Sequence, residues 1–442
     1  MALSGNRTFV GVGFGAIQAG LFLYEAYRSG NFRRLVVAEV VPGAVNALRG
    51  ASGYYAVNVA HPNRVEADRI GPVEIANPAN EQDRELLIAA IAEAEEIATA
   101  LPSVVFYSSQ SPSSAHHVLA DGLLRKLATN GPPAVIYAAE NNNHAAEILE
   151  ETVLGVIDPR DRDRLRTRVQ FLNTVIGKMS GVVADPEEIR DRKLIPVTPH
   201  ENRAFLVEEF NRILITSITA RNGFPGASYR RGIEVFEEKP DLLPFEEAKL
   251  YGHNSTHAVA AYIGAALGAG RIADLDRFAG VREFLLQAFI QESGAALIRK
   301  HAGIDPLFTP DGYRAYAVDL IERMFNPYLG DSVERVGRDP NRKLEWDDRL
   351  IGTIRVALRQ GLSPRRYALG TAAAVELLNT TVAPAPAAHQ SSLEPIWAPA
   401  SPDPEEKVKV LRLVREGQTQ LRRWRDAGCP NLEWFLGHSP AA

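Results

Sequence analysis

Lys249, Asn254 and His257 fall within 246–264 at the spacing K-x-x-x-x-N-x-x-H, which gathers a base, an amide and an imidazole beside an apolar helix. That set can take a proton from a sugar alcohol. At helical spacing Asn254 and His257 are neighbours on one face, and the four-carbon stem of Lys249, five positions earlier, reaches the same side. The competing reading is a solvated lysine with a core histidine, since Ala-Val-Ala-Ala-Tyr-Ile follows His257.

A second candidate site lies near the start. The apolar run 8–12 enters Gly11-Val-Gly-Phe-Gly-Ala-Ile-Gln-Ala-Gly20, after which Leu21, Tyr24 and Tyr27 continue at helical spacing to Gly30. Strand, glycine turn and helix in that order suit a dinucleotide pyrophosphate, because glycines let the backbone approach it and the helix amides hold its charge. Two registers are open: Gly11-x-Gly13-x-x-Ala16, complete in its alanine form, and Gly13-x-Gly15-x-x-Gln18, which lacks the third small residue. A second apolar strand, 35–38, ends in Glu39, where a carboxylate would accept hydrogen bonds from the adenosine ribose. No Arg or Lys occurs in the seven residues that follow to receive a 2′-phosphate, so the cofactor expected is NAD.

These residues need a sheet and helices to position them. Residues 65–75 alternate about a Gly-Pro turn and are expected as a hairpin, and 103–107 and 134–138 as short strands buried on both faces. The last strand ends in Glu140-Asn-Asn-Asn-His144, where Asn141 faces the cofactor crevice and is placed to share a substrate with Lys249. The alternative is a cap for a helix over 144–151, a role open to Asn142 and Asn143 as well. From about Arg203 the pattern turns helical, with helices expected over 205–218, 248–267, 281–301, 313–324 and 349–360.

The expected fold class is α/β: an N-terminal Rossmann-like NAD-binding domain over 1–200, then a mostly α-helical C-terminal substrate domain over 201–381. Residues 382–442 form a tail, a Pro/Ala-rich linker over 382–404 and an amphipathic helix over 405–425 with Leu411, Val414, Leu421 and Trp424 on one side. The tail either docks on the body or mediates self-association of an otherwise monomeric protein. A net charge of −5 without a basic run argues against nucleic acid, and Cys429, the one cysteine, leaves no intrachain disulfide and no cysteine-based zinc site. The longest apolar run, 258–270, is far short of the ~20 residues that span a bilayer, and the start has no signal-type core, so a cytoplasmic protein without a membrane partner is expected. His116-His117 point apart, His200-Glu201 lacks the second histidine of a zinc helix, and neither G-x-S-x-G nor a P-loop occurs; no metal is expected.

Over about 8–378 the chain resembles the polyol-specific long-chain dehydrogenases, the mannitol dehydrogenase family, and within it the mannitol-1-phosphate 5-dehydrogenase branch. The likeness is carried by Gly53-Tyr-Tyr-Ala-Val-Asn-Val59, Ala139-Glu-Asn-Asn142, Val169-Gln-Phe-Leu-Asn-Thr-Val-Ile176, the Lys249 to His257 signature, the long ordered segment 326–344 and Asp348-Arg-Leu-Ile351. It implies NAD-dependent, metal-free interconversion of a hexitol phosphate and a ketohexose phosphate, with free mannitol or a hexuronate as alternative substrates; the reading from another class is a catalytically silent NAD or sugar-phosphate sensor, for which Lys249, Asn254 and His257 are awkward. Lys249 would be the general base, Asn141 and Asn254 would donate to the developing alkoxide, and His257 would orient a sugar oxygen. Arg335, Arg338, Arg342 and Lys343 are the phosphate candidates, with Lys178 outside them; the opposing reading ties those cations to Asp331, Glu334, Asp339 and Asp348. The chain departs from the family at Gln18, which stands for a glycine, and at Asn173 and Lys178, which stand for an Asp and an Arg.

Overall fold

The strand Arg7–Val12 is buried on both faces in the computed structural model, Phe9 entering one apolar core and Val10 and Val12 another, as a sheet covered by helices on both sides requires. The structure describes residues 5–199, 201–209, 212–382 and 393–438. Its strands are β1 (Arg7–Val12), β2 (Phe32–Ala38), β3 (Tyr55–Ala60), β4 (Val65–Ile70), β5 (Glu74–Ala76), β6 (Glu96–Thr99), β7 (Ala134–Ala138), β8 (Val169–Ile176), β9 (Ser180–Val183), β10 (Ala204–Glu208), β11 (Ile213–Thr216) and β12 (Phe236–Lys239). The larger sheet runs β12-β11-β8-β7-β6-β1-β2-β5, parallel from β8 to β5, with β11 antiparallel to β8. The strand order reverses at β1, the switch point at which doubly wound sheets bind ligands. A smaller sheet, β4-β3-β10-β9, accompanies it.

Several expected elements differ. Residues 205–218 form β10 and β11 instead of a helix: Phe205, Val207, Ile213 and Ile215 enter one core, and short apolar blocks carry no period that separates strand from helix. The expected hairpin over 65–75 does not form, because β4 pairs with β3 in the small sheet while β5 joins β2 in the large one. Val104–Tyr107 is a 3₁₀ turn, and the strand beside β1 is Glu96–Thr99, which follows directly on the helix Glu81–Glu93. The two compact units are Met1–Leu243 and Pro244–Ala442, so the strands after 201 stay with the first unit and the division falls later than 200/201.

Among its described residues the second unit forms helices and no strand. Small residues bring its helices close: a Cβ on Gly370 would lie 2.5 Å from Val259 Cγ1, and one on Gly264 would lie 2.8 Å from Val333 Cγ2. Two of the long helices expected here contain π turns, Ala248–Asn254 before Ser255–Ala266, and Ala288–Gly294 between Val281–Gln287 and Ala295–Lys300.

The tail docks on this unit. Its helix spans Pro404–Asp426 and buries Val410, Leu413, Val414, Leu421 and Trp424, with Leu411 only partly covered. A Cβ on Gly417 would lie 2.3 Å from the Ala368 carbonyl oxygen, so this helix rests on the backbone of Arg365–Val382. Glu406 pairs with Arg359 at 2.7 Å, and Glu433 accepts from Arg366 Nε at 2.9 Å. Residues 383–392 of the expected linker lie outside the described residues, as does His200, but the linker's end is not loose: Trp397 is fully buried and donates from Nε1 to the Leu344 oxygen at 2.8 Å.

Candidate active site

In the first unit the chain leaves β1 and turns at Gly13, whose φ is +89° and whose Cβ would lie 2.9 Å from the Ala100 oxygen. The helix begins at Ala16, and at its entrance Gly15 has open space where a Cβ would be. The turn therefore uses Gly13-x-Gly15-x-x-Gln18, and Gly11 lies inside β1. Gly11 has another task, because the fully buried Gln18 side chain lies over it and a Cβ there would come within 2.3 Å of Gln18 Nε2. The missing third glycine is thus accommodated from the strand side.

Glu39 follows β2 and reaches back over this turn. Its Oε2 accepts from Phe14 N–H at 2.9 Å and its Oε1 from Val41 N–H at 2.8 Å. The next basic residue, Arg49, is committed to the Ile75 oxygen and Asp83. An open helix entrance, a glycine turn with no room for side chains and a carboxylate at the end of the next strand fit a dinucleotide.

Beyond β7, Glu140 is buried and accepts from Thr99 Oγ1 at 2.9 Å, from Leu101 N–H at 2.8 Å and from the Tyr107 hydroxyl, while burial pushes its carboxyl pKa up. Asn141 is exposed in the loop that follows. Asn142 accepts from His144 N–H at 2.9 Å in the turn before the helix Ala145–Gly155, and the first-turn amide of Ala146 is taken by Asn173 on β8 at 2.8 Å.

In the second unit Lys249, Asn254 and His257 share one continuous helix. Residues five apart stand about 140° apart around a regular α-helix, at 3.6 residues per turn. The π turn, bonded i to i+5, corrects that separation for Lys249 and Asn254. Sequence reasoning credited the lysine stem with the reach and missed the turn. Burial, and then the Arg349 guanidinium, push the Lys249 ammonium down to about 8 against the opposing charge of Glu246. His253 is buried and held neutral by burial and then by the charges of Arg323, Lys249 and Arg349. His257 Nε2 lies 3.1 Å from Asp331 Oδ2. Arg349 and the pairing of Asp331 with His257 were not anticipated; the one available signal was that both lie in the motif segments 326–344 and 348–351.

The phosphate candidates are mostly engaged. Arg335 pairs with Asp331, Arg342 with Asp339 at 3.5 Å, and Lys343 donates to the Arg338 carbonyl, while Arg338 is exposed. Lys178 is buried 5.3 Å from the Tyr24 ring centre, with Glu25, Glu208 and Glu209 acting on its charge, surroundings that disfavour a phosphate. Among the described residues no group of three or more His, Cys, Asp or Glu could hold a metal ion, and no helix is long and apolar enough to cross a membrane.

Two family models match this chain, the mannitol dehydrogenase Rossmann domain over residues 7–223 and the mannitol dehydrogenase C-terminal domain over 241–390. The chain is 30% identical over 343 residues to a mannitol-1-phosphate 5-dehydrogenase of Bacillus licheniformis, a match that covers 77% of this chain and 81% of the relative. Among solved structures it is similar in fold to a D-sorbitol dehydrogenase in substrate-free form, with a TM-score of 0.73, 14% identity and coverage of 96% of this chain and 94% of that one. A Pseudomonas fluorescens mannitol 2-dehydrogenase, solved as a ternary complex with NAD and D-mannitol, gives a TM-score of 0.68 at 15% identity over 99% of this chain and 96% of that one. With both halves matched in order and the curated relative aligned along most of its length, the chain belongs to the mannitol dehydrogenase family.

Proposed function

We propose that this protein is an NAD-dependent, metal-independent polyol-phosphate dehydrogenase that interconverts D-mannitol 1-phosphate and D-fructose 6-phosphate. The observation that carries the reading is Lys249, half-buried on the π turn that ends at Asn254, three residues ahead of His257, with its ammonium pushed down to about 8, near the pH at which a general base works best. NAD, when bound, supplies the hydride acceptor. Lys249 Nζ takes the hydroxyl proton as the carbonyl forms and returns it in the reverse direction. Asn254 donates an amide hydrogen to the oxygen that gains charge, Asn141 is proposed as a further donor to the substrate, and His257 orients a neighbouring sugar oxygen. The glycine turn at Gly13 and Gly15 binds the pyrophosphate, and Glu39 the adenosine ribose.

Glu39 gives a direct test of cofactor choice. NAD(H) should outperform NADP(H), and Glu39→Ser should narrow the ratio of the two kcat/KM values by removing the carboxylate that repels a 2′-phosphate. Equal activity of the parent protein with both nucleotides would remove Glu39 from the ribose.

The phosphate rests on the likeness to the Bacillus relative, whose name specifies mannitol 1-phosphate. A second reading, a free-polyol or hexuronate enzyme, is favoured by the engagement of Arg335, Arg342 and Lys343 within their own segment. NADH turnover with fructose 6-phosphate, fructose and fructuronate, compared side by side, separates the two. If the phosphate is read here, Arg338→Ala and Arg342→Ala should raise KM for fructose 6-phosphate well beyond any change for fructose. Parallel changes on both substrates would hand the assignment to the free-polyol reading.

A further inference from the structure

Asp331 is buried, and the backbone around it is pinned. Its carbonyl accepts from Ile272 N–H at 2.9 Å, Val333 N–H bonds the Gly270 oxygen at 3.0 Å, and Ser332 Oγ accepts from Arg335 N–H at 3.1 Å. One carboxylate oxygen, Oδ1, takes the Arg335 guanidinium. The other, Oδ2, lies 3.1 Å from His257 Nε2, an ion-pair approach whose angle falls short of a hydrogen bond, and neither of these two buried atoms has a hydrogen-bond partner. Burial works to raise the Asp331 pKa, but the imidazole of His257 and the adjoining Arg335 guanidinium bring it below the ordinary carboxylate value, so the group is ionised beside a permanent cation.

An ionised carboxylate only accepts hydrogen bonds, so the ring nitrogen facing it carries the proton. In a neutral imidazole the other nitrogen, Nδ1, is then an acceptor. We infer that Asp331 is a positioning residue that fixes His257 as the Nε2–H tautomer, so that its Nδ1 receives a hydrogen bond from a substrate hydroxyl. The inference rests on the proposed function, because its kinetic effect passes through the contact of His257 with substrate. It also divides the labour on this helix: Asn254 is the donor to the reacting oxygen and His257 the acceptor for its neighbour. Arg335 then serves the carboxylate and not a phosphate.

Two measurements test this. In the unaltered protein with ¹⁵N-labelled histidine, two-bond NMR correlations of His257, assigned with His257→Asn, should show the Nε2–H tautomer; an Nδ1–H ring would overturn the inference without any variant of Asp331. Kinetically, Asp331→Asn should lower kcat on the order of 10- to 100-fold, as loss of a group that orients an active-site histidine does, with NADH affinity unchanged. In the His257→Asn background the same substitution should change kcat by no more than about twofold, because the two residues act as one unit. Equal losses in both backgrounds would show a merely structural carboxylate and overturn the inference. Full turnover by His257→Asn alone would instead defeat the proposed use of His257, a result distinguishable from full turnover by Asp331→Asn in a protein that still needs His257, which sinks this inference only.

Discussion

Lys249→Ala should slow hydride transfer on the order of 10²–10⁴-fold, the usual cost of losing a general base, while NADH binding survives because the glycine turn belongs to the first unit. Pre-steady-state NADH oxidation and a fluorescence titration with NADH measure the two effects separately, and near-normal turnover would remove the central assignment. The pH dependence has a sign. Polyol oxidation needs the free amine, so its kcat/KM should rise with pH and level off above about 8, where burial and then Arg349 hold the lysine. Ketose reduction needs the ammonium and should fall through the same range. Arg349→Met removes a cation that disfavours the ammonium, so both inflections should move to higher pH.

The largest stability effect is expected from Lys126→Met. Lys126 is fully buried, and its Nζ donates to the carbonyl oxygens of Ala92 at 3.1 Å, Ala94 at 2.6 Å and Pro132 at 3.1 Å. Those carbonyls lie where the helix Glu81–Glu93 gives way to β6 and just ahead of β7, so one side chain ties the helix Ala115–Ala128 to two central strands. Methionine fills similar space and leaves three acceptors without a donor, a loss of about 3 kcal/mol or more. For a unit of this size that lowers the melting temperature by roughly 6–12 °C. An unchanged melting temperature would mean that the carbonyls find other donors.

What could be read from the sequence was what local pattern dictates. Strand, glycine turn and helix at 7–29, Glu39 at the end of β2 and the Lys249 helix all announce themselves within a few residues. Glu-Ile-Ala-Thr at 96–99 did not, because it follows an Ala- and Glu-rich helix and only pairing with β1 and β7 makes it a strand. Residues 205–218 misled because their apolar blocks fit either period, and burial between other elements decided the outcome. The glycine register was settled by Gln18, whose side chain needs the space above Gly11, a demand visible only in three dimensions. Within the site, the roles of Asp331 and Arg349 depend on segments more than seventy positions from His257, and no motif spacing encodes that.

The π turn Ala248–Asn254 also separates two requirements that an unbroken helix would merge. Along Ser255–Ala266 the angular setting is dictated by packing, with Val259 against Gly370 and Gly264 against Val333. A regular helix would impose that same setting on Lys249. The wider turn holds about one surplus residue, which shifts the helical phase by about 100° before the lysine is reached. The direction of the Lys249 side chain is therefore set independently of the packing of Ser255–Ala266.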